Sequence, residues 1–587
     1  MPQIHNFHIP VMGLGFTVDT PLKVARFGIS SVVSIMDDQL LEDMRCHYLR
    51  DTQFEPISEK DHDSRAKRIK AYLNFLQSTV DQQVVELKSQ NFGEGQEIDK
   101  YFDLLPTDHP LSSLYLNMKL ATGDERLNLQ QVLREAIEPG SIDVNIMTKV
   151  DKLNYDKEGK VLPREYSDAL LALKGFAESN VRGGVVFSAG MNPALYGYAE
   201  QFEDFFPDEN GHIKKPIILK VSDYRSALVQ GKFLAKKGLW VDEYRIESGL
   251  NCGGHAFATD GFLAGPILDQ FKSNRENLRN EVFTICQTAL DKKNRPLLTS
   301  SVKPRITYQG GIGNSDENRM LLEKYELDGT GWGSPFLLVP EATSVDEGTF
   351  EKLLKAKKSD FYLSKASPLG VPFNNLRTST AEAQRKERIA KGRPGSPCYK
   401  KLLSSNVEFT DKPICTASRQ YQNLKIKQRD AGEISNAELD EVLEKDCLCE
   451  GLGAPALLSV GETPRRNLNA VTICPGPNLA YFKGIFSLKE MVDHIYGKVS
   501  LSLDPERPHV FVKELQLYIK HLKADIENAM PENGKKVEVY INKFKKNLSE
   551  GIAYYQEFKD SWSKENSLVL ERVKAQLAEM KLNLQLA

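Results

Sequence analysis

The feature that most constrains this chain is a rhythm. Short apolar runs, each ending in glycine or a polar residue, alternate with stretches of helical periodicity. The runs fall at residues 8–13, 27–34, 142–148, 184–190, 216–221, 241–247, 304–313 and 328–336. Strands that are apolar throughout belong to a parallel sheet covered on both faces, and parallel strands need helical crossovers. More than six such units predict an α/β fold of the (β/α)8 barrel type, whose ligand sits at the C-terminal ends of the strands. Asn145, Ser188, Lys220, His255, Gly311 and Gly333 all fall at such ends.

The rhythm divides the chain. Residues 1–36 and 140–360 carry it, so they are read as the barrel. Residues 37–139 are charged and helix-favouring, and read as a helical insertion forming a lid over one end of the core. Its His47, His62 and His109 lie among polar neighbours and read as surface histidines. Residues 361–505 are polar and rich in cysteine. Residues 506–587 form a helical tail: Leu515, Ile519, Leu522 and Ile526 share one face, and Val537, Ile541, Phe544 and Leu548 another, with a turn at 531–534 between them. Such helices pack on the barrel or on a second subunit of a homo-oligomer. At 587 residues, two to four structural units are expected.

A net charge of −3 argues against a dominant role on polyanions. No apolar run reaches the roughly 18 to 20 residues of a membrane span, and the first residues lack the pattern of a secretory leader, so a cytoplasmic protein is expected.

Two glycine clusters point to chemistry. Residues 248–255, Ser-Gly-Leu-Asn-Cys-Gly-Gly-His, follow the sixth run and put two glycines before a titratable histidine. Gly310-Gly311-Ile312-Gly313 before a helix, and Gly331-Trp332-Gly333-Ser334 on the neighbouring strand, read as an anion cradle of backbone N–H groups and a helix N-terminus. Paired turn glycines are the alternative reading.

In order along the chain, these segments resemble the nitronate monooxygenases (2-nitropropane dioxygenase-like) and the related flavin-dependent enoyl-acyl-carrier-protein reductases. The resemblance covers roughly residues 8–350 outside the insertion. It rests on Pro10-Val11-Met12-Gly13, Val144-Asn145-Ile146-Met147, Gly253-Gly254-His255, Gln309-Gly310-Gly311-Ile312 and Gly331-Trp332-Gly333-Ser334-Pro335-Phe336-Leu337. It implies FMN as cofactor. Met12 and Gly13 would touch the isoalloxazine through their backbone, Asn145 would hydrogen-bond it, and Lys220 would lie near its polar edge. Gly254 would adjoin the flavin, while Gly310, Gly311, Gly333 and Ser334 would hold the phosphate. His255 would be the catalytic base facing a small-molecule substrate. Asn251 and Cys252 stand where the family has glutamate and alanine, and Pro335 where it has arginine, which leaves the substrate open.

Cys398, Cys415, Cys447, Cys449 and Cys474 crowd one late segment. Thiolates select iron–sulfur clusters or zinc. A [4Fe-4S] cluster is preferred over zinc, because prolines flank three of the five and a flavin barrel can use a one-electron relay; unliganded buried thiols are the third reading. Arg385, Lys386, Arg388, Lys391, Arg393, Lys400 and Lys401 form a basic run, read as a solvated helix face, with nucleic acid or an acidic acyl carrier as the sharper alternative. The whole reads as an FMN-dependent oxidoreductase with an iron–sulfur relay and a redox partner. The alternative is a flavin-free barrel binding a phosphorylated ligand or RNA.

Overall fold

Eight parallel strands close into a barrel: β1 (Phe7–Ile9), β2 (Ser30–Ser34), β3 (Ile142–Ile146), β4 (Val185–Phe187), β5 (Ile217–Val221), β6 (Val241–Glu247), β7 (Arg305–Gln309) and β8 (Gly329–Gly331), with β8 pairing back onto β1. This (β/α)8 architecture is the one the alternating pattern predicts. The computed structural model describes residues 4–557 apart from 62, 189, 252–259, 468, 477, 502, 503, 505, 506 and 528–533, together with residue 571.

The strands are buried along nearly their whole length, as β-branched runs such as Ile-Ile-Leu-Lys-Val of β5 require. Side-chain caps start the crossover helices. Asp223 accepts from Ser226 N–H before the helix Tyr224–Ala235, and Asn314 accepts from Glu317 N–H before Ser315–Lys324.

Inside the barrel a small apolar layer, Val32, Val186 and Ile218 with Val11 against it, separates two polar ones. Toward the N-terminal ends lies a buried charge network. Arg245 donates to Glu243 (2.7 Å) and Asp143 (3.3 Å), while Thr307 donates to Glu243 (2.6 Å). Burial alone would raise the Glu243 carboxyl; the Arg245 and Arg305 guanidinium groups overcome it and hold the carboxyl below the usual range. Four paired charges in a barrel core are costly to desolvate, and their mutual hydrogen bonds offset that cost.

The insertion between β2 and β3 contains five helices: Asp38–Leu49, Ser64–Ser89, Glu97–Asp103, Pro110–Leu120 and Gly123–Glu135. Its longest helix, Ser64–Ser89, packs in the outer wall of the barrel. Ile69, Tyr72, Leu73 and Leu76 are buried, and Tyr72 donates to the Val18 carbonyl (2.9 Å). At Gly175 of the helix Asp168–Ala177, an added Cβ would lie 2.7 Å from the Ala66 carbonyl, so glycine is what lets the two helices approach. His47 is not a plain surface residue either: its ring meets Glu462 at 2.8 Å with only 14 % of the side chain exposed, tying the insertion to the cysteine-rich segment. His109 caps the helix Pro110–Leu120, and His62 lies outside the described residues.

The cysteine-rich segment begins with an antiparallel pair, β9 (Phe361–Ser364) and β10 (Phe373–Leu376), which the polar sequence does not announce. The tail forms the helices Val510–Glu527 and Gly534–Gln556. Leu515, Ile519, Leu522, Ile541, Phe544 and Leu548 are buried, on the faces the periodicity marks. These helices pack on the barrel through the helix Ala264–Ser273, where a Cβ at Gly261 would lie 2.7 Å from the Phe544 carbonyl. Among the described residues no helix is long and apolar enough to cross a membrane.

Candidate active site

A cavity of about 320 Å³ lies over the apolar layer, at the C-terminal ends of the strands. Strand ends supply its polar wall: Ser34 from β2, Asn145 from β3, Ser188 after β4, Lys220 from β5 and Glu247 from β6. Val11, Gly13 and Leu14 of the β1 loop line it beside them. Leu369 and Val371, between β9 and β10, and Leu452 roof it, so the cysteine-rich segment contributes to its cover.

Lys220 and Glu247 form an ion pair at 2.7 Å, with 8 % and 7 % of their side chains exposed. Gln309 donates to Glu247 (2.8 Å), and the His8 ring meets Gln309 at 3.4 Å. Burial pushes the imidazole of His8 well below its ordinary pKa, and Arg245 nearby lowers it further, so this histidine is neutral. The chain Lys220–Glu247–Gln309–His8 therefore fixes one ammonium and one carboxylate at the cavity wall.

Two amides complete the site. The side-chain oxygens of Asn145 and Asn251 are buried and have no hydrogen-bond partner among the described residues. Both residues line the cavity. A buried acceptor left unpaired costs about 1–3 kcal/mol, so two at one cavity mark a place where a ligand's donors belong.

Of the glycines of the expected phosphate cradle, Gly310 packs against Ser248 and Asn251, and Gly311 against Leu250 and Val510. Gly310 (φ 111°) and Gly311 (φ 86°) turn the chain after β7 in a conformation that side chains rarely adopt. A Cβ at Gly310 would lie 2.6 Å from Ser248 Oγ and 3.1 Å from Asn251 N. A third glycine, unremarked in the sequence, faces them: a Cβ at Gly476 would lie 2.7 Å from Ser334 Oγ and 3.5 Å from the Asn251 carbonyl. Gly333 precedes Ser334, itself buried at the start of a short 3₁₀ turn. The helix N-terminus, however, is already spent. Gly313 N–H donates to Glu317 (2.9 Å), and Arg507 clasps that carboxylate (2.7 and 2.9 Å) while donating to the Gly311 carbonyl (2.8 Å) and Asn478 (2.9 Å).

The other expected residues divide as follows. Gly13 (φ 56°) lines the cavity, but Met12 is fully buried and its N–H already donates to Thr17 (3.2 Å). Gly254 and His255 lie outside the described residues. Glu514 of the tail accepts from Gly249 and Ala264 N–H, on either side of that segment.

The cysteines do not assemble into a metal centre. Among the described residues no group of three or more His, Cys, Asp or Glu is placed to hold an ion. Cys398, Cys415, Cys447 and Cys449 are neighbours, while Cys474 stands apart beside Gly13. Burial pushes the Cys447 and Cys474 thiols up to about 12 and Cys449 further. An iron–sulfur or zinc role for Cys398, Cys415, Cys447, Cys449 and Cys474 therefore finds no support in this arrangement. The basic run is partly neutralised: Arg385 pairs with Glu382 (2.9 Å), Lys391 with Glu387, and Lys400 with Asp37 (2.7 Å).

The sequence reading missed Glu247, Gln309, Gly476 and the Arg507–Glu317 clasp. One signal was present for the first: β6 reads Val-Asp-Glu-Tyr-Arg-Ile-Glu, and charges at every second position of a buried barrel strand must point inward.

No family model and no curated protein matches the chain. Solved structures that match include FabK from Thermotoga maritima (14 % identity over 69 % of this chain and 85 % of that one, TM-score 0.31). The enoyl reductase domain of MlnA from the macrolactin biosynthesis cluster of Bacillus amyloliquefaciens is 15 % identical over 76 % and 93 %, with TM-score 0.31. Nitroalkane oxidase from Streptomyces ansochromogenes is 10 % identical over 84 % and 94 %, with TM-score 0.33. Likenesses this weak carry no argument about the site, and the barrel rests on its own strand pairing.

Proposed function

We propose that the chain is an FMN-dependent oxidoreductase whose isoalloxazine ring occupies the cavity at the barrel mouth. The observation that carries this reading is the unpaired buried oxygen of Asn145 beside the fixed ammonium of Lys220. The polar edge of a flavin offers one N–H donor between acceptor oxygens. Asn145 is suited to accept from the first, and Lys220 to donate to the second. The ordered motifs of the barrel strands support the same cofactor.

FMN, when bound, supplies hydride transfer at its ring. The chain's own residues bind and shield. Glu247 holds Lys220 in place, so the positive charge favours an electron-rich ring edge without having to reorganise. Leu369, Val371 and Leu452 keep water from the roof. Gly310, Gly311, Gly333 and Ser334, joined by Gly476, are the proposed phosphate cradle. His255 is the proposed proton carrier by sequence alone. Asn251 in the cavity wall, where the resembling family has glutamate, argues for a substrate other than a nitronate.

The test is titration of flavin-free protein with FMN, followed by quenching of flavin fluorescence. Asn145→Ala is expected to weaken binding about tenfold, the worth of one buried hydrogen bond. Unchanged affinity in that variant would remove the reading's main support.

A further inference from the structure

Two cysteines that the barrel chemistry does not use meet beside a second cavity. The loop carrying Cys398 is clamped to the loop carrying Cys415 by two backbone hydrogen bonds, Ser396 N–H to the Ala417 carbonyl (2.9 Å) and Arg419 N–H to the Ser396 carbonyl (2.8 Å). The clamp brings the two cysteines together, and neither is in a disulfide. Cys398 is half-buried and holds φ 47°, a left-handed conformation that costs energy for a residue with a Cβ; Cys415 is buried behind it.

The cavity is about 330 Å³ in volume, and both cysteines line it. Its wall carries Lys401, Lys412 and Arg419 with the hydroxyls of Ser404 and Thr410, and among the described residues no carboxylate. The Nε of Arg419 is buried without a hydrogen-bond partner among the described residues. Cations, an unsatisfied guanidinium donor and a thiol pair at one cavity suit a ligand that is both anionic and thiol-reactive.

We propose that Cys398 and Cys415 form a thiol–disulfide exchange site for an anionic low-molecular-weight disulfide held by Arg419, Lys401 and Lys412. The Cys398 thiolate attacks one sulfur of the bound disulfide RS–SR; that bond breaks and the first RS⁻ leaves, taking up a proton as RSH. Cys415 then loses its proton and attacks Cys398 Sγ, which closes the Cys398–Cys415 disulfide and releases the second thiol. Two electrons pass from the protein dithiol to the ligand, and the products are one protein disulfide and two RSH. The order of attack follows the local chemistry. Cys398 is half-buried at the cavity wall and meets the incoming disulfide first, while Cys415 is buried and is left to resolve the adduct. The site is independent of the flavin reading.

The test uses the full-length reduced protein. It is incubated with glutathione disulfide at low salt, quenched with an alkylating agent and mapped by peptide mass. A Cys398–Cys415 cross-link is expected, formed about tenfold faster than with the cationic disulfide cystamine, and Arg419→Gln is expected to erase most of that preference. Cys415→Ser should stop at a glutathione adduct on Cys398. The wild-type and Arg419→Gln arms leave both cysteines intact, so they read the chemistry even if a cysteine variant fails to fold. The proposal is overturned if both thiols remain alkylatable, if Cys447 or Cys449 is the residue oxidised, if the two disulfides react equally fast, or if the purified protein carries stoichiometric zinc or iron that blocks these thiols.

Discussion

Replacing Arg507 by methionine cuts the clasp that fastens the tail to the glycine turn after β7. The guanidinium makes four hydrogen bonds, two to Glu317, one to Asn478 and one to the Gly311 carbonyl, and only 3 % of its side chain is exposed. Its loss leaves the 2 % exposed Glu317 carboxylate with the N–H groups of Gly313 and Val510 but without its guanidinium partner. Breaking a buried pair in this way costs about 3–5 kcal/mol, because the remaining charge has no counter-ion. The cost falls on the docking of the helix Val510–Glu527, so hydrogen exchange of its amides is the assay. At about 1.4 kcal/mol per tenfold, exchange should accelerate by about 100-fold or more, and Arg507→Met with Glu317→Gln should recover at least tenfold of it. Burial raises the Glu317 carboxyl, but Arg507 outweighs it and the net shift is downward. The clasp is therefore at full strength above the ordinary carboxylate pKa of 4.5 and weakens only as pH falls below it. Exchange in Arg507→Met within threefold of wild type would refute the clasp.

Other outcomes follow from the same geometry. Burial raises the Glu514 carboxyl to about 7 against an ordinary 4.5, so its contribution is intact below pH 4.5 and is lost as pH rises through 7. Glu514→Gln should remove up to about 3 kcal/mol of that pH dependence; a melting temperature that falls between pH 5.5 and 8 as steeply as in wild type would contradict this. Gly476→Ala places a methyl group 2.7 Å from Ser334 Oγ and asks a residue with a Cβ to hold φ 64°. It should weaken FMN binding more than riboflavin binding, since only FMN carries the phosphate; equal losses would argue against the cradle.

What was legible in the sequence was what local pattern dictates. The eight apolar runs gave the barrel, because strands buried on both faces leave a continuous apolar signature. Asn145 and Lys220 could be placed at the cavity because each ends such a run, and the tail's buried faces because Leu515, Ile519 and Leu522 recur at helical spacing. The rest depends on contacts between distant segments. Residues 369, 371 and 452 roof a cavity built by residues 11–251, and Arg507 meets Glu317 across 190 positions. No local pattern announces either contact. The cysteines are a related case: crowding along the chain sets proximity, but four ligands around one ion need directions that spacing alone does not specify.

The visible absorption spectrum of the protein as purified tests the central claim most directly. Flavin bands, with FMN released on denaturation at about one per chain, are the predicted result. A colourless protein that also fails to take up added FMN would contradict the assignment of the barrel-mouth cavity to a flavin.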